Sequence, residues 1–97
     1  MTPPSHDLDG ARVIQFAMLE ASICPTAATL HFKNGELLPA PAAVAICQYP
    51  GNDEYYLFYC DENWNVATDT LHPTIAAAME QAEFEFAGIS SAWQTCD

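Results

Sequence analysis

The stretch Val44-Ala45-Ile46-Cys47-Gln48-Tyr49-Pro50-Gly51-Asn52-Asp53-Glu54-Tyr55-Tyr56-Leu57-Phe58-Tyr59-Cys60 decides the fold. Two runs rich in β-branched and aromatic residues flank Pro50-Gly51-Asn52-Asp53, a dense turn signal. Pairing Tyr49 with Glu54 sets Ile46 opposite Leu57 and Val44 opposite Tyr59, as cross-strand partners should be. The same register faces Cys47 with Tyr56 and Cys60 with Ala43. A Cys47–Cys60 disulfide would need another register, so the hairpin argues against it.

Downstream, Asp61-Glu62-Asn63 reads as a second turn, leading into a strand over Trp64-Asn65-Val66-Ala67-Thr68. Alternation sends Trp64, Val66 and Thr68 to one face, together with Tyr56, Phe58 and Cys60. The result is a three-stranded meander with an aromatic-rich face. Asp69 to His72 then lead into a helix that begins at Pro73-Thr74, with Thr74 or His72 as N-cap. Ile75, Ala78, Met79, Ala82 and Phe86 recur at the three-and-four spacing of a buried stripe, and Gly88 supplies the stop. Glu80 and Glu83 lie off that stripe. The helix is expected to cover the aromatic face, with Cys60 beneath it as inert filler. Phe84 also falls off the stripe and is expected in the core or covered by the N-terminal strand. Trp93 is expected to fold back onto the core.

Upstream, Arg12 to Leu19 is an apolar run whose Val-Ile-x-Phe opening favours a strand. Thr29-Leu30-His31-Phe32 is a short strand followed by an Asn34-Gly35 turn, and Leu37-Leu38-Pro39-Ala40-Pro41 is a stiff extended connector. Residues 1–10 read as a flexible leader and 11–97 as a single domain. The fold class is α+β, an antiparallel meander of about four or five strands packed against one main helix. A core this small supplies about 3–5 kcal/mol of net stability. Oligomerisation would add to that, and the apolar fraction admits a homodimer.

Charge is the most unusual property. Thirteen acids face two cations, Arg12 and Lys33, and no Lys or Arg follows Lys33. Such a surface repels nucleic-acid phosphates and anionic lipid, and attracts basic proteins. The same charge also serves to keep an apolar chain soluble. No run reaches the roughly 18 apolar residues of a membrane span, and the start lacks a signal-peptide pattern, so a cytoplasmic protein is expected. Four cysteines, Cys24, Cys47, Cys60 and Cys96, form no C-x-x-C pair and no zinc-spaced cluster. They read as reduced small residues, most of them buried.

Several patterns invite a chemical reading. Asp61, Asn63, Asn65 and Asp69 carry oxygens at the first, third, fifth and ninth positions of a calcium loop. That loop needs a glycine at its sixth position and a bidentate glutamate at its twelfth, where this chain has Val66 and His72. Cys60, His72 and Asp69 could form a thiol, base and acid, but no glycine-rich elbow or oxyanion donor accompanies them. His6, His31 and His72 are scattered. A glycine-rich phosphate loop is missing from the pattern. No cofactor or metal is expected.

The wording Tyr55–His72, then Ala76 to Phe86 and a late Trp93, resembles a group of small uncharacterised bacterial proteins. Their pattern is an aromatic strand ending in Cys-Asp, then Trp-Asn, Asp-Thr-x-His and a Gln-Ala-Glu helix. The resemblance covers roughly residues 41–93 and brings no function and no functional residues. In size and charge the chain is also loosely similar to small acidic immunity proteins.

The expectation is a non-enzymatic acidic protein that binds a basic protein partner, as an immunity-like inhibitor would. Asp61, Glu62, Asp69, Glu80 and Glu83 are the candidate partner-binding residues. The alternatives are a small metal-binding protein or Cys/His enzyme using the Cys60–His72 region, and an oligomeric structural or assembly subunit.

Overall fold

Ala43–Gln48 and Tyr55–Cys60 pair in the register the sequence dictates, with Val44 opposite Tyr59, Ile46 opposite Leu57 and Cys47 opposite Tyr56. This hairpin is the centre of a computed structural model that describes residues 1–20, 23–26 and 30–96. In chain order the elements are β1 (Asp7–Leu8), β2 (Ala11–Met18), β3 (Cys24–Pro25), β4 (Phe32–Lys33), β5 (Glu36–Leu37), β6 (Ala43–Gln48), β7 (Tyr55–Cys60), β8 (Val66–His72), α1 (Ile75–Glu85) and β9 (Phe86–Ala87). A 3-10 turn at Ile89–Ser91 and β10 (Gln94–Thr95) complete the chain.

The main sheet runs β1-β2-β6-β7-β8, all antiparallel, and β10 shares the outer side of β2 with β1. One helix lies against this curled sheet, so the architecture is α+β. Asn34 and Gly35 take positive φ (54° and 79°) and close the short β4–β5 arm, as the Asn-Gly signal requires. The expected Thr29–Phe32 strand is reduced to Phe32–Lys33 among the described residues, and Thr29 lies outside them.

Both faces of β6 and β7 are buried, and the helix covers the face opposite to the one expected. Ala78, Ala82 and Phe86 pack on Val44, Ile46, Leu57 and Tyr59, with Ile75, Met79 and Trp93 at the margin. Phe58, Cys60 and Trp64 belong to the other cluster, with Leu8, Val13 and Phe16. That face needs no helix because the curled sheet and the chain's start close over it. Leu8, inside the segment read as a leader, is buried there. Trp64 meets Phe16 edge-on at 5.8 Å and donates its Nε1–H to the Thr2 carbonyl at 2.8 Å.

The cause of the exchange is local. Trp64 adopts φ 64°, which ends the extended run before it starts, so the strand begins at Val66 instead. Val66 then faces Cys60 and Thr68 faces Tyr59, leaving Ala67 as the extra residue of a bulge. Val66 therefore joins the Trp64 side, while Thr68, Thr70 and His72 turn toward the helix. The segment from Asp69 to His72, expected as a lead-in, continues this strand.

The helix starts where expected: Thr74 is the N-cap and accepts from the Ala77 amide at 3.0 Å. It ends at Glu85, and Gly88 takes φ 94° after β9. Phe84 corrects an expectation, since it is 58 % exposed rather than covered. No helix among the described residues is long and apolar enough to cross a membrane.

Candidate functional site

The last turn of α1 carries the one buried charged side chain among the described residues. Glu85 lies three positions past Ala82 and seven past Ala78, on the buried face, and is 3 % exposed. Its position is adverse in two respects. A carboxylate at a helix C-terminus faces the negative end of the dipole, and no Lys or Arg accompanies it.

Hydrogen bonds offset both penalties. Oε1 lies 2.8 Å from Nε2 of His31, and Oε2 accepts from the Tyr59 hydroxyl and, at 3.0 Å, from Nε2 of Gln81. The network continues outward in both directions. Nδ1 of His31 is 3.0 Å from Oγ1 of Thr68. The Tyr59 hydroxyl is 3.3 Å from Oγ1 of Thr70, which in turn sits 2.7 Å from Nε2 of His72. The bulge at Ala67 is what brings Thr68 to this side of the sheet, so the network depends on it.

The polarity of the chain follows from Glu85. A carboxylate only accepts, so Nε2–H of His31 donates to it, and in the neutral ring Nδ1 accepts from the Thr68 hydroxyl. Tyr59 donates to Glu85, which leaves its oxygen to accept from Thr70. Every donor in the network thus runs toward one carboxylate. Burial and the bond to Glu85 push the Tyr59 hydroxyl well above its ordinary range, so it stays a donor. Burial likewise holds His72 below its usual value.

His31, Tyr59, Thr68 and Glu85 form the floor of a groove of about 390 Å³, which lies within the range of ligand pockets. Its walls come from Leu30 and from the Leu37–Pro41 connector, whose Leu38 amide donates to the His31 carbonyl at 2.8 Å. Thr26 fastens the far side, its amide donating to the Glu85 carbonyl at 2.8 Å. The His31 ring packs against Tyr59 with centroids 4.2 Å apart and planes tilted by 47°. No buried polar side-chain atom among the described residues is left unpartnered. The floor therefore offers a guest aromatic faces rather than spare donors.

The five acids singled out from sequence are spread over the surface. Asp61 and Glu62 stand at the mouth of the groove. The Asp61 carboxylate is fixed there by the Asn63 and Asn65 amides (2.8 and 2.9 Å) and by Asn65 Nδ2 (3.0 Å). Those bonds, the Asn65 side chain first, hold it below the ordinary carboxylate range. Asp69, exposed opposite Phe58, belongs to the other face of the sheet. Glu80 is exposed on the helix, and Glu83 caps the turn after it through the Gly88 and Ser90 amides.

The Cys60–His72 region does not converge. Cys60 points into the cluster away from the helix, whereas His72 bonds Thr70 on the helix side. Burial pushes the Cys60 thiol up to about 12. Cys47, Cys60 and Cys96 are free, and His6 lies 3.9 Å from the Cys96 sulfur. Cys24 lies in β3, where its neighbours across the pairing are Phe86 and Ala87. Among the described residues no three metal-ligating side chains are grouped.

Glu85, Tyr59 and Thr68 were not among the candidate site residues read from sequence, and His31 was named only with the scattered histidines. For Glu85 a signal existed, since the helical stripe through Ala78 and Ala82 continues onto it. Comparison with protein families, curated proteins and solved structures finds no match.

Proposed function

We propose that the chain is a non-enzymatic binding protein that recognises a basic protein partner, acting as an immunity-like inhibitor would. The observation that carries this reading is charge. Thirteen acids stand against two cations, and Asp61 and Glu62 border an apolar groove that neither Arg12 nor Lys33 lines. Acidic surface of this kind steers a cationic partner and makes its association salt-dependent. The competing Cys60–His72 reading loses support because the two side chains lie on opposite faces of the sheet.

Binding to purified basic and acidic proteins of matched size tests the proposal. The expected result is affinity for the basic set that weakens steadily between about 20 and about 200 mM salt. Equal affinity for both sets, or no salt dependence, overturns it. Light scattering of the free chain establishes whether one copy or two presents the surface.

A further inference from the structure

We propose that the groove floored by Tyr59, His31 and Glu85 is a docking pocket for one bulky apolar side chain carried beside a lysine or arginine on the partner protein. This deepens, and rests on, the reading of the chain as a binder of basic proteins.

Three observations converge on that occupant. First, the cavity of about 390 Å³ is walled by Leu30, Leu38, Pro39 and Pro41, and the polar side chains of its floor are hydrogen-bonded to one another. An apolar group seated there meets apolar walls and breaks none of the floor's hydrogen bonds, so an apolar side chain is the guest that fits. Second, the rim is negative and uncompensated. Asp61 is locked in place by its own loop, and Glu62 is exposed with no ion pair among the described residues. A cation next to the apolar anchor would meet both carboxylates. Third, the exposed apolar surface of the cavity wall, Leu30 and Leu37, extends to Phe32 on the β4–β5 arm. Leu30, Phe32 and Leu37 are three of the six large hydrophobics left exposed among the described residues, at 57, 56 and 57 %. Exposed apolar surface that is continuous with a pocket marks an interaction site, and its spread along the arm suits an extended partner segment.

The Glu85 network then has a definite role. It holds the packed His31 and Tyr59 rings at the floor, and the Leu38 amide joins the connector to His31, so the pocket is formed before the partner arrives.

The test is amide-shift mapping with short blocked peptides that place leucine or tryptophan beside arginine, on the wild-type chain and on Glu62→Lys and Leu37→Glu. Both substitutions fall on exposed side chains, and an unchanged spectrum away from the groove confirms their fold. Expected are shifts at Leu30, Leu38, Tyr59 and Glu62, binding at least about fivefold weaker when glutamate replaces the peptide's arginine, and a similar loss in Glu62→Lys. Binding should disappear when alanine replaces the apolar residue and weaken in Leu37→Glu. Arginine peptides that bind with shifts elsewhere on the surface overturn the pocket while leaving the basic-partner reading intact. If no cationic peptide or protein binds, both fall. Equal binding of the glutamate peptide overturns the role of the rim, and a free hydrophobic amine that matches the peptide's affinity overturns docking of a protein.

Discussion

Nε2 of His31 lies 2.8 Å from Oε1 of Glu85, a hydrogen bond that joins residues 54 positions apart. The contact ties the segment before β4 to the end of the helix, and the Leu38 amide, bonded to the His31 carbonyl, brings in the connector. It therefore makes the groove wall and the groove floor a single unit, and most of what can be tested about this protein turns on it.

Glu85→Ala should be among the most damaging substitutions. It leaves the Tyr59 hydroxyl, His31 and Gln81 without their common acceptor, at a cost of about 3–5 kcal/mol. In a domain of this size that is comparable to the whole net stability. Glu85→Gln keeps the volume but turns one acceptor into a donor facing donors, and should cost less, about 1–3 kcal/mol. Urea denaturation of the two variants checks the order.

The pH dependence has a definite sign at His72. Burial holds its folded value below the ordinary 6.5, against a smaller opposing pull from Glu85. The fold favours the neutral ring, so this stability is complete above pH 6.5 and is lost as the pH falls through the lower folded value. His72→Gln should flatten the urea midpoint across that window relative to wild type. Asp61, whose folded value is also depressed, adds its loss only as the pH falls below 3.8.

Thiol chemistry should separate the cysteines. Cys47 and Cys60 are buried with their thiols pushed upward, Cys60 to about 12, whereas Cys96 is half-buried beside His6. Alkylation of the native chain followed by mass spectrometry should modify Cys96 well before Cys47 and Cys60, and denaturant should remove the difference.

Two phenylalanines give opposite expectations. Phe84 is exposed on the helix, so Phe84→Ser should alter stability by no more than about 0.5 kcal/mol. Phe58 is buried against Tyr49 and Tyr56, and Phe58→Ala should cost about 3–5 kcal/mol. Thermal unfolding distinguishes them directly.

The central hairpin was legible because turn residues and cross-strand partners agree on one register, down to Val44 against Tyr59. Which face the helix would cover was not. Both faces of β6 and β7 are apolar, so alternation alone assigns no inside and outside. The extra residue at Ala67 then reverses the parity of the next strand, and no pattern in Trp64–Thr68 announces a left-handed Trp64. The groove was half legible. Asp61 and Glu62 stood out by charge, and Glu85 could have been placed by continuing the helical stripe. His31 could not, since its partners come from segments far along the chain and no short spacing encodes them.

Asp69 has a consequence beyond its charge. It is the middle residue of Val66–His72, and that strand stands at the end of the sheet order, paired with β7. A second copy laid antiparallel along it about its midpoint would set Asp69 against its own image, two carboxylates with no cation between them. In that register edge-to-edge growth, the route by which a strand edge seeds aggregates, sets like charges face to face at its centre.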